Sequence, residues 1–549
     1  PPPLQRNRMR MELGNAQWVR RRWMLIALAL IALGAVLRIE RLGNALDYDE
    51  IWTLEDFATG TIREIFTRLS LPNNHPLNSL SVKWISSLSR EGFALRLPAF
   101  AAGILTIPLA GMLSLMLFRR RSAALWTMLF AALSAPLALY SQLARGYSFQ
   151  VFFCTLFWTG LAATGRFRPG RLRWLPEAAL FLGGAGAILT LPTSILFLGA
   201  GVLPALPALR RGPRSVWVVL GVGAVLSLFW YGWNFEQFQE ARRWGNALSG
   251  VGELFPWGGD VLWQLAGPLL ILAAVAVFRC GRFARWIAVA ALLPLLAAAA
   301  THAGPARAYL PLTIPIILLA GAGADWLCGR FRGRLWSRLL PAVPLLLAGY
   351  GFCRSTLPEP PDWYGIFQES SAFPPEVLIL YPATDCLPLM WNNRPASTDD
   401  FLERLTYAGN SPRLVLLSFE NKLNGLGADD SEQSVELPPD ESRRIQLRSF
   451  AGYRYQLEEI NKVPQPGSAV LAVVSPLPER ELQTVARDIA DSGDGWLRIN
   501  SRLNRPIRFP DGTLRTALLL GARIATGSRF DPAAIRNAHP GRIRFYRMR

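Results

Sequence analysis

The run WMLIALALIALGAVLR at residues 23–38 decides the class of fold. Folded as a helix, an apolar stretch of this kind crosses most of a hydrocarbon core that is roughly 30 Å thick. Comparable runs recur as far as Cys353, after which proline, acidic residues and asparagine become more frequent. With 51% hydrophobic residues over 549 positions, the composition is not that of an ordinary soluble enzyme. We therefore predict a polytopic α-helical membrane domain at residues 23–353 and a separate domain at 354–549.

Basic clusters predict the orientation of the membrane domain. The net charge is +19, and much of it lies in short arginine-rich loops between the apolar runs. Every second junction carries such a cluster, as the positive-inside rule expects of cytoplasmic loops. Because this distribution accounts for the positive charge, nucleic-acid binding is a poor alternative. The clusters lie at residues 20–22, 119–121, 166–173, 210–214, 279–285 and 330–338. Residues 1–22 are thus expected in the cytoplasm and the C-terminal domain outside it.

This topology requires about eleven membrane spans. We place them near residues 23–38, 97–118, 122–140, 147–165, 174–190, 193–209, 215–233, 261–279, 285–302, 308–328 and 338–353. One proline-kinked span across Thr190–Thr193 is the alternative, and it would reverse the orientation of everything downstream. The first run lacks a small-residue cleavage site, so we expect it to remain as a signal anchor. Cys353 and Cys386 both fall outside in this topology, where they could pair.

The C-terminal domain alternates candidate strands with helical patterns, which predicts an α/β fold. The expected strands are 376–382, 413–419, 469–474 and 516–520, and residues 478–492 are expected to form a helix. The domain has no glycine-rich phosphate loop, nucleophile elbow or metal-ligand spacing. We interpret it as a recognition or packing module.

The acidic stretch Asp47-Tyr48-Asp49-Glu50 follows the first apolar run by about ten residues. Carboxylates beside a membrane exit are expensive to desolvate, and a simple loop has no need of them. The spacing of apolar residues over Ile51–Leu69 predicts one helix lying along the membrane surface. Asp49 is the main candidate for a general base or a cation ligand, with Glu50 beside it. The alternative is that Asp47 or Asp49 only caps that helix.

Four further residues fall at the predicted outer boundary. Arg145 and Arg307 lie where the positive-inside rule disfavours arginine, and a guanidinium there can fork onto a phosphate. The alternative is that they only reach to lipid headgroups. His75 and His302 suit a phosphate or a metal, although a single histidine is more often a structural hydrogen-bonding group.

Several motifs together resemble a known family. They are the early Asp-Glu pair, Asn74-His75-Pro76-Leu77, Arg96-Leu97-Pro98-Ala99, Tyr140-Ser141-Gln142-Leu143-Ala144-Arg145-Gly146-Tyr147 and Arg307-Ala308-Tyr309-Leu310-Pro311. Their order and spacing over residues 20–330 resemble the GT-C glycosyltransferases. The closer resemblance is to the bacterial branch related to protein mannosyltransferases and lipid A aminoarabinose transferases.

The resemblance implies a GT-C-like fold in a bacterial cytoplasmic membrane. It implies a polyprenyl-phosphate-linked sugar donor, a lipid, glycan or protein acceptor, and an inverting transfer in which Asp49 is the essential first-loop acid. Relatives commonly carry an acid where this chain has Leu143. The acids that could replace it are Glu236, Glu240, Glu253 and Asp260.

The sequence thus predicts a membrane glycosyltransferase with Asp49 and Glu50 as catalytic acids. Arg145, Arg307, Tyr309, His75 and His302 are the expected contacts of the donor phosphate. No cofactor is required, and a divalent cation held by Asp49, Glu50 and His75 is optional. The alternatives are an oligosaccharide ligase, a transporter or flippase for a lipid-linked sugar, and a non-catalytic membrane anchor. A transporter should carry its polar site near the midplane, whereas the acids here cluster outside the spans.

Overall fold

A computed structural model describes residues 3–39, 41–69, 74–164, 174–210, 213–239, 266–301, 306–330 and 340–354, and the seven strands between 377 and 548. The chain divides into two compact units. The first comprises Pro1–Gly43 and Gly60–Leu357, and the second comprises Asn44–Thr59 and Pro358–Arg549.

The described helices follow the apolar runs of the sequence. In chain order they are α1 (Pro3–Ile39), α2 (Tyr48–Trp52), α3 (Ile62–Thr67), α4 (Pro76–Ser86), α5 (Gly92–Phe118), α6 (Arg121–Leu133), α7 (Ala135–Tyr140), α8 (Tyr147–Ala163), α9 (Leu175–Thr190), α10 (Ser194–Leu209), α11 (Arg214–Trp233), α12 (Leu269–Arg279), α13 (Arg282–Thr301), α14 (Thr313–Arg330) and α15 (Ala342–Arg354). A π-helical turn occupies Thr53–Phe57, and a 3₁₀ turn occupies Ala306–Leu312.

The apolar helices are those of a membrane protein. In the described part of the chain, four segments are long and apolar enough to cross a membrane, namely Arg21–Ile39, Gly92–Phe118, Arg214–Trp233 and Arg307–Arg330. A described helix overlaps each of the eleven expected spans, but several are shorter than a full crossing, so the number of spans stays a prediction. Helix α9 ends at Thr190 and α10 begins at Ser194, so the two are separate helices.

Close backbone packing joins α8 to α9. A Cβ placed on Gly160 would come within 2.9 Å of the backbone nitrogen of Leu180. A Cβ on Gly183 would come within 2.8 Å of the carbonyl oxygen of Phe153. Without hydrophobic driving force inside a bilayer, such contacts between small residues are a main source of helix association. This packing holds α8, which carries Tyr147 at its start, against the rest of the unit.

A buried arginine joins the end of α1 to the end of α6. Arg38 is fully buried and donates to the carbonyl oxygens of Gly34 at 2.8 Å, Ala132 at 3.0 Å and Ala131 at 3.0 Å. The last carbonyls of α6 have no partners within their own helix, because Pro136 follows the break at Ser134. Arg38 satisfies two of them and so fixes the start of α7.

The single helix predicted over Ile51–Leu69 is wrong. The segment instead contains α2, the π-helical turn and α3, and the new helix begins after Thr61. The Thr61 hydroxyl accepts from the Glu64 nitrogen at 3.2 Å, while the Glu64 carboxylate accepts from the Thr61 nitrogen at 2.6 Å. This reciprocal cap restarts the helix and shifts the apolar stripe, and Ile62 is 54% exposed as a result.

The second unit contains one described sheet. Its strands are β1 (Val377–Tyr381), β2 (Arg413–Phe419), β3 (Gln433–Glu436), β4 (Arg444–Phe450), β5 (Tyr453–Glu459), β6 (Val470–Val474) and β7 (Ile543–Met548), in the order β3-β4-β5-β7-β2-β1-β6. Strand β1 runs parallel to β2 and β6, and the other pairs are antiparallel. The first three expected strands are confirmed. The expected strand at 516–520 and helix at 478–492 lie outside the described residues, so the α/β class stays a prediction.

Candidate functional site

His75 lies at the start of α4 and is directed by its neighbours toward α8. Pro76 occupies the first turn of α4, where its missing N–H costs nothing. Just before it, Asn74 donates to the carbonyl oxygens of Ile65 at 2.9 Å and Arg68 at 2.8 Å. Ser79 donates in turn to the Asn74 side-chain oxygen at 2.9 Å. The backbone on either side of His75 is thereby held in place.

Two hydrogen bonds attach this segment to the turn between α7 and α8. The backbone N–H of Gly146 donates to Nδ1 of His75 at 2.9 Å. One helical turn further along α4, the Asn78 amide donates to the carbonyl oxygen of Ala144 at 3.0 Å. The turn itself is braced by Gln142, which donates to the carbonyl oxygen of Leu37 at 3.2 Å. Residues about 70 positions apart in sequence therefore form one rigid corner.

The ring of Tyr147 lies at the centre of this corner. The His75 ring packs edge-on against it with centroids 4.9 Å apart, and Tyr140 does the same at 4.9 Å. The guanidinium carbon of Arg145 lies 5.7 Å from the Tyr147 ring centroid, and that of Arg307 lies 5.9 Å from it. Both distances are within the range of a cation–π contact. The structure thus brings together three predicted site residues, His75, Arg145 and Arg307.

Two positive charges act on His75. Burial, and then the positive charges of Arg145 and Arg307, hold the pKa of His75 well below its ordinary value. Arg145 is only 2% exposed, whereas Arg307 is exposed. Two guanidinium groups of which one is nearly desolvated favour an anion, because charge-assisted hydrogen bonds gain strength where water is excluded.

Gln150 connects the corner to the segment that carries Arg307. Its amide nitrogen lies 3.2 Å from the Thr193 hydroxyl and 3.4 Å from the carbonyl oxygen of Ala308. Next along the chain, Tyr309 is fully buried and packs edge-on against Phe197 at 6.0 Å. Its place in the apolar core helps to position the 3₁₀ turn on which Arg307 lies.

The acidic stretch has a cap of its own. The backbone carbonyl oxygen of Asp47 accepts from the backbone nitrogens of Glu50 and Ile51 at 3.0 Å, and the Glu50 carboxylate accepts from the Asp47 nitrogen at 2.9 Å. Glu50 is 2% exposed, so this carboxylate is engaged in closing the first turn of α2. Asp49 lies inside that turn and is partly exposed. The Glu50 side chain therefore caps this turn by accepting from the Asp47 backbone.

The structure does not describe every candidate residue. His302, Glu240, Glu253, Asp260 and Cys386 lie outside the described residues, and Glu236 is exposed beyond the end of α11. Among the residues that are described, no three histidine, cysteine, aspartate or glutamate side chains group in a way that could hold a metal ion. The sequence predicts no role for Gly146, Asn78 or Tyr147. Gly146 and Tyr147 belong to the motif at residues 140–147, and Asn78 directly follows the motif at 74–77.

Comparison with known proteins gives structural likenesses. No protein-family model matches the chain, and no curated protein matches it. The crystal structure of ArnT from Cupriavidus metallidurans in the apo state is 14% identical, with a TM-score of 0.46 over 77% of this chain and 97% of that one. The same protein bound to undecaprenyl phosphate is 16% identical, with a TM-score of 0.42 over 60% and 63%.

A third similar structure is the Archaeoglobus fulgidus oligosaccharyltransferase in complex with Zn and sulfate. It is 14% identical, with a TM-score of 0.38 over 72% of this chain and 68% of that one. With TM-scores below 0.5, these likenesses decide nothing about the activity of the chain, which has to be argued from its own side chains.

Proposed function

We propose that the protein is a membrane glycosyltransferase that moves a sugar from a polyprenyl-phosphate donor to an acceptor hydroxyl, at the outer face of a bacterial cytoplasmic membrane. One observation carries the proposal. Arg145 and Arg307 converge on the ring of Tyr147 beside the buried His75, at the start of an apolar helix. A cationic site at the end of membrane helices suits the phosphate of a lipid whose chain lies in the bilayer.

Arg145 and Arg307 bind the donor phosphate and stabilise the charge that grows on it as the sugar departs. Such preorganised electrostatic stabilisation is often the largest single contribution to catalysis. Of the other two expected phosphate contacts, His302 keeps that proposed role, whereas Tyr309 does not, because its side chain is buried in the apolar core. His302 would contact the phosphate, and the buried Tyr309 supports the turn that carries Arg307.

Asp49 acts as the general base. Its carboxylate takes the proton of the acceptor hydroxyl while that oxygen bonds to the anomeric carbon. The bond from the anomeric carbon to the phosphate oxygen breaks, and its electron pair leaves with the polyprenyl phosphate. The configuration at the anomeric carbon is inverted. The bond that the Glu50 carboxylate accepts from the Asp47 nitrogen supports this role, because the side chain that caps the turn is that of Glu50. A divalent cation is optional in this scheme.

The first experiment measures sugar transfer or release from radiolabelled polyprenyl-phosphate sugars in detergent. Asp49→Asn should lower the rate by at least 100-fold, since general bases contribute about 10²–10⁴-fold. Asp47→Asn is the matched control, because Asp47 joins the first turn of α2 through its backbone oxygen and nitrogen, which asparagine keeps, so the variant should keep wild-type activity. The folded fraction of each variant is checked by size-exclusion chromatography.

Wild-type activity in Asp49→Asn would remove Asp49 as the base. The transporter would be favoured by two results together. No sugar is released from any donor, and an intact lipid-linked sugar crosses the membrane of proteoliposomes. Adding a chelator tests whether transfer needs the optional cation. Unchanged transfer would show that no divalent ion takes part.

A further inference from the structure

We infer that His75 serves the site as a neutral hydrogen-bond donor through Nε2–H, directed at the anionic phosphate, and that it is not a metal ligand. The first part rests on the proposed function, because it specifies how that phosphate is bound. The second part rests on hydrogen-bond geometry alone and replaces the optional metal role considered for His75.

The position of the ring proton follows from the partner of Nδ1. A backbone N–H is always a donor, so the 2.9 Å contact from Gly146 requires a lone pair on Nδ1. A neutral imidazole carries one proton on its two nitrogens, and that proton must then be on Nε2. The doubly protonated ring is excluded as well, because it would place an N–H of His75 against the N–H of Gly146.

Metal binding requires a different arrangement. A neutral histidine ligates a metal through the nitrogen that lacks the proton, while the other nitrogen donates to a second group. Here Nδ1 is occupied by the Gly146 N–H, and Nε2 carries the proton. Ligation through Nε2 would require loss of that proton or loss of the bond to Gly146. His75 therefore offers a donor and not a ligand.

The surroundings indicate what Nε2–H donates to. The ring is held edge-on against Tyr147, the same ring that Arg145 and Arg307 approach. The charges that act most strongly on His75 are those two arginines, and both are positive. An acceptor beside two guanidinium groups is most stable as an anion, so the N–H and the two cations favour one phosphate.

The proton position can be measured without any substrate. The chain contains three histidines, so a His302→Gln, His539→Gln variant labelled with ¹⁵N-histidine reports His75 alone. The expected spectrum shows a lone pair on Nδ1 and a proton on Nε2, and it does not change when Zn²⁺ is added. A proton on Nδ1, or a Zn²⁺-dependent change at Nε2, would overturn the inference.

A pair of substitutions tests the donor role. Asparagine places an oxygen near the position of Nδ1 and keeps an acceptor for Gly146, but it lacks a donor at Nε2. Glutamine reaches the position of Nε2 with an N–H. We expect His75→Asn to weaken binding of undecaprenyl phosphate about tenfold, in line with the loss of one hydrogen bond to a charged group. We expect His75→Gln to restore most of that affinity.

Wild-type affinity in His75→Asn, or equal loss in both variants, would contradict the donor role. The outcome is separable from that of the proposed reaction. If no sugar is transferred but undecaprenyl phosphate binding follows the expected order, the assignment of His75 stands and the transferase proposal fails.

Discussion

At the scale of single residues, position 146 requires glycine because a side chain would collide with a neighbour, and not because of its backbone conformation. Its φ of −71° and ψ of −5° are open to any residue. A Cβ at this position, however, would come within 2.7 Å of Nδ1 and 2.8 Å of Cβ of His75. A glycine therefore lets the His75 ring approach the start of α8 and accept from its backbone.

Gly146→Ala should displace His75 from the Tyr147 ring. We expect the affinity for undecaprenyl phosphate to fall about tenfold, equivalent to about 1.4 kcal/mol. Isothermal titration calorimetry of the purified protein measures the change. Gly221→Ala is the matched control, since a Cβ there meets nothing within 4 Å and its affinity should equal that of the wild type.

His75 also predicts a dependence of stability on pH. Its pKa is lowered in the folded state by burial and by the two arginines, so the unfolded chain takes up the proton first as the pH falls. This contribution to stability is complete above the ordinary histidine pKa of about 6.5. Below that value it is lost at about 1.4 kcal/mol per pH unit until the folded protein is protonated as well.

Thermal unfolding at pH 7.5 and pH 5.5 checks the sign. The wild type should lose more stability between the two pH values than His75→Asn, which has no proton to gain and keeps an acceptor. Equal losses in the two proteins would show that His75 does not carry this dependence.

At the scale of elements, the contact between α1 and α6 determines where the corner lies. Arg38 donates to carbonyl oxygens in the last turn of α6. Helix α7 then leads directly to Tyr140 and the turn at 141–146. The same region is tied to α1 by the bond from Gln142 to Leu37. Helix α1 thus positions the site without supplying a residue to it.

Arg38→Met should destabilise the protein by about 2–4 kcal/mol. The substitution keeps much of the apolar side chain but leaves buried carbonyl oxygens without donors, which is among the most costly single changes. A lowered Tm in detergent is the expected readout. Arg21→Met on the same helix is exposed and should change the stability by no more than about 0.5 kcal/mol. An unchanged Tm for Arg38→Met would show that water replaces the lost donors.

At the scale of the whole molecule, the contacts named above that His75, Asn78, Arg145 and Arg307 make in the Tyr147 corner lie within the first compact unit. A chain that ends at residue 357 should therefore still bind undecaprenyl phosphate with an affinity within about threefold of the full-length protein. Calorimetry on the truncated protein measures this, and Arg145→Gln in the same truncated chain is the control that should lose binding. Loss of binding in the truncated chain alone would show that the second unit is needed.

The sequence by itself determined the positions of the helices. Hydropathy is a property of consecutive residues, and bilayer thickness sets the length of an apolar run, so α5, α11 and the separation of α9 from α10 could be predicted. The predicted topology also singled out His75, Arg145 and Arg307, because it places them at the outer boundary of the membrane. The break in the helix predicted over Ile51–Leu69 could not be predicted, because the cap at Thr61 competes with a continuous apolar periodicity. Strands such as β3 and β5 were missed because they are too polar for a hydropathy pattern.

Only the tertiary structure decided what the singled-out residues do together. The bond between Gly146 and His75 spans 71 positions, and the shared ring of Tyr147 joins residues from segments that are distant in sequence. Such contacts depend on which helices pack side by side, which a local pattern does not encode. The same is true of the proton on His75, whose place is set by one backbone N–H from a distant turn.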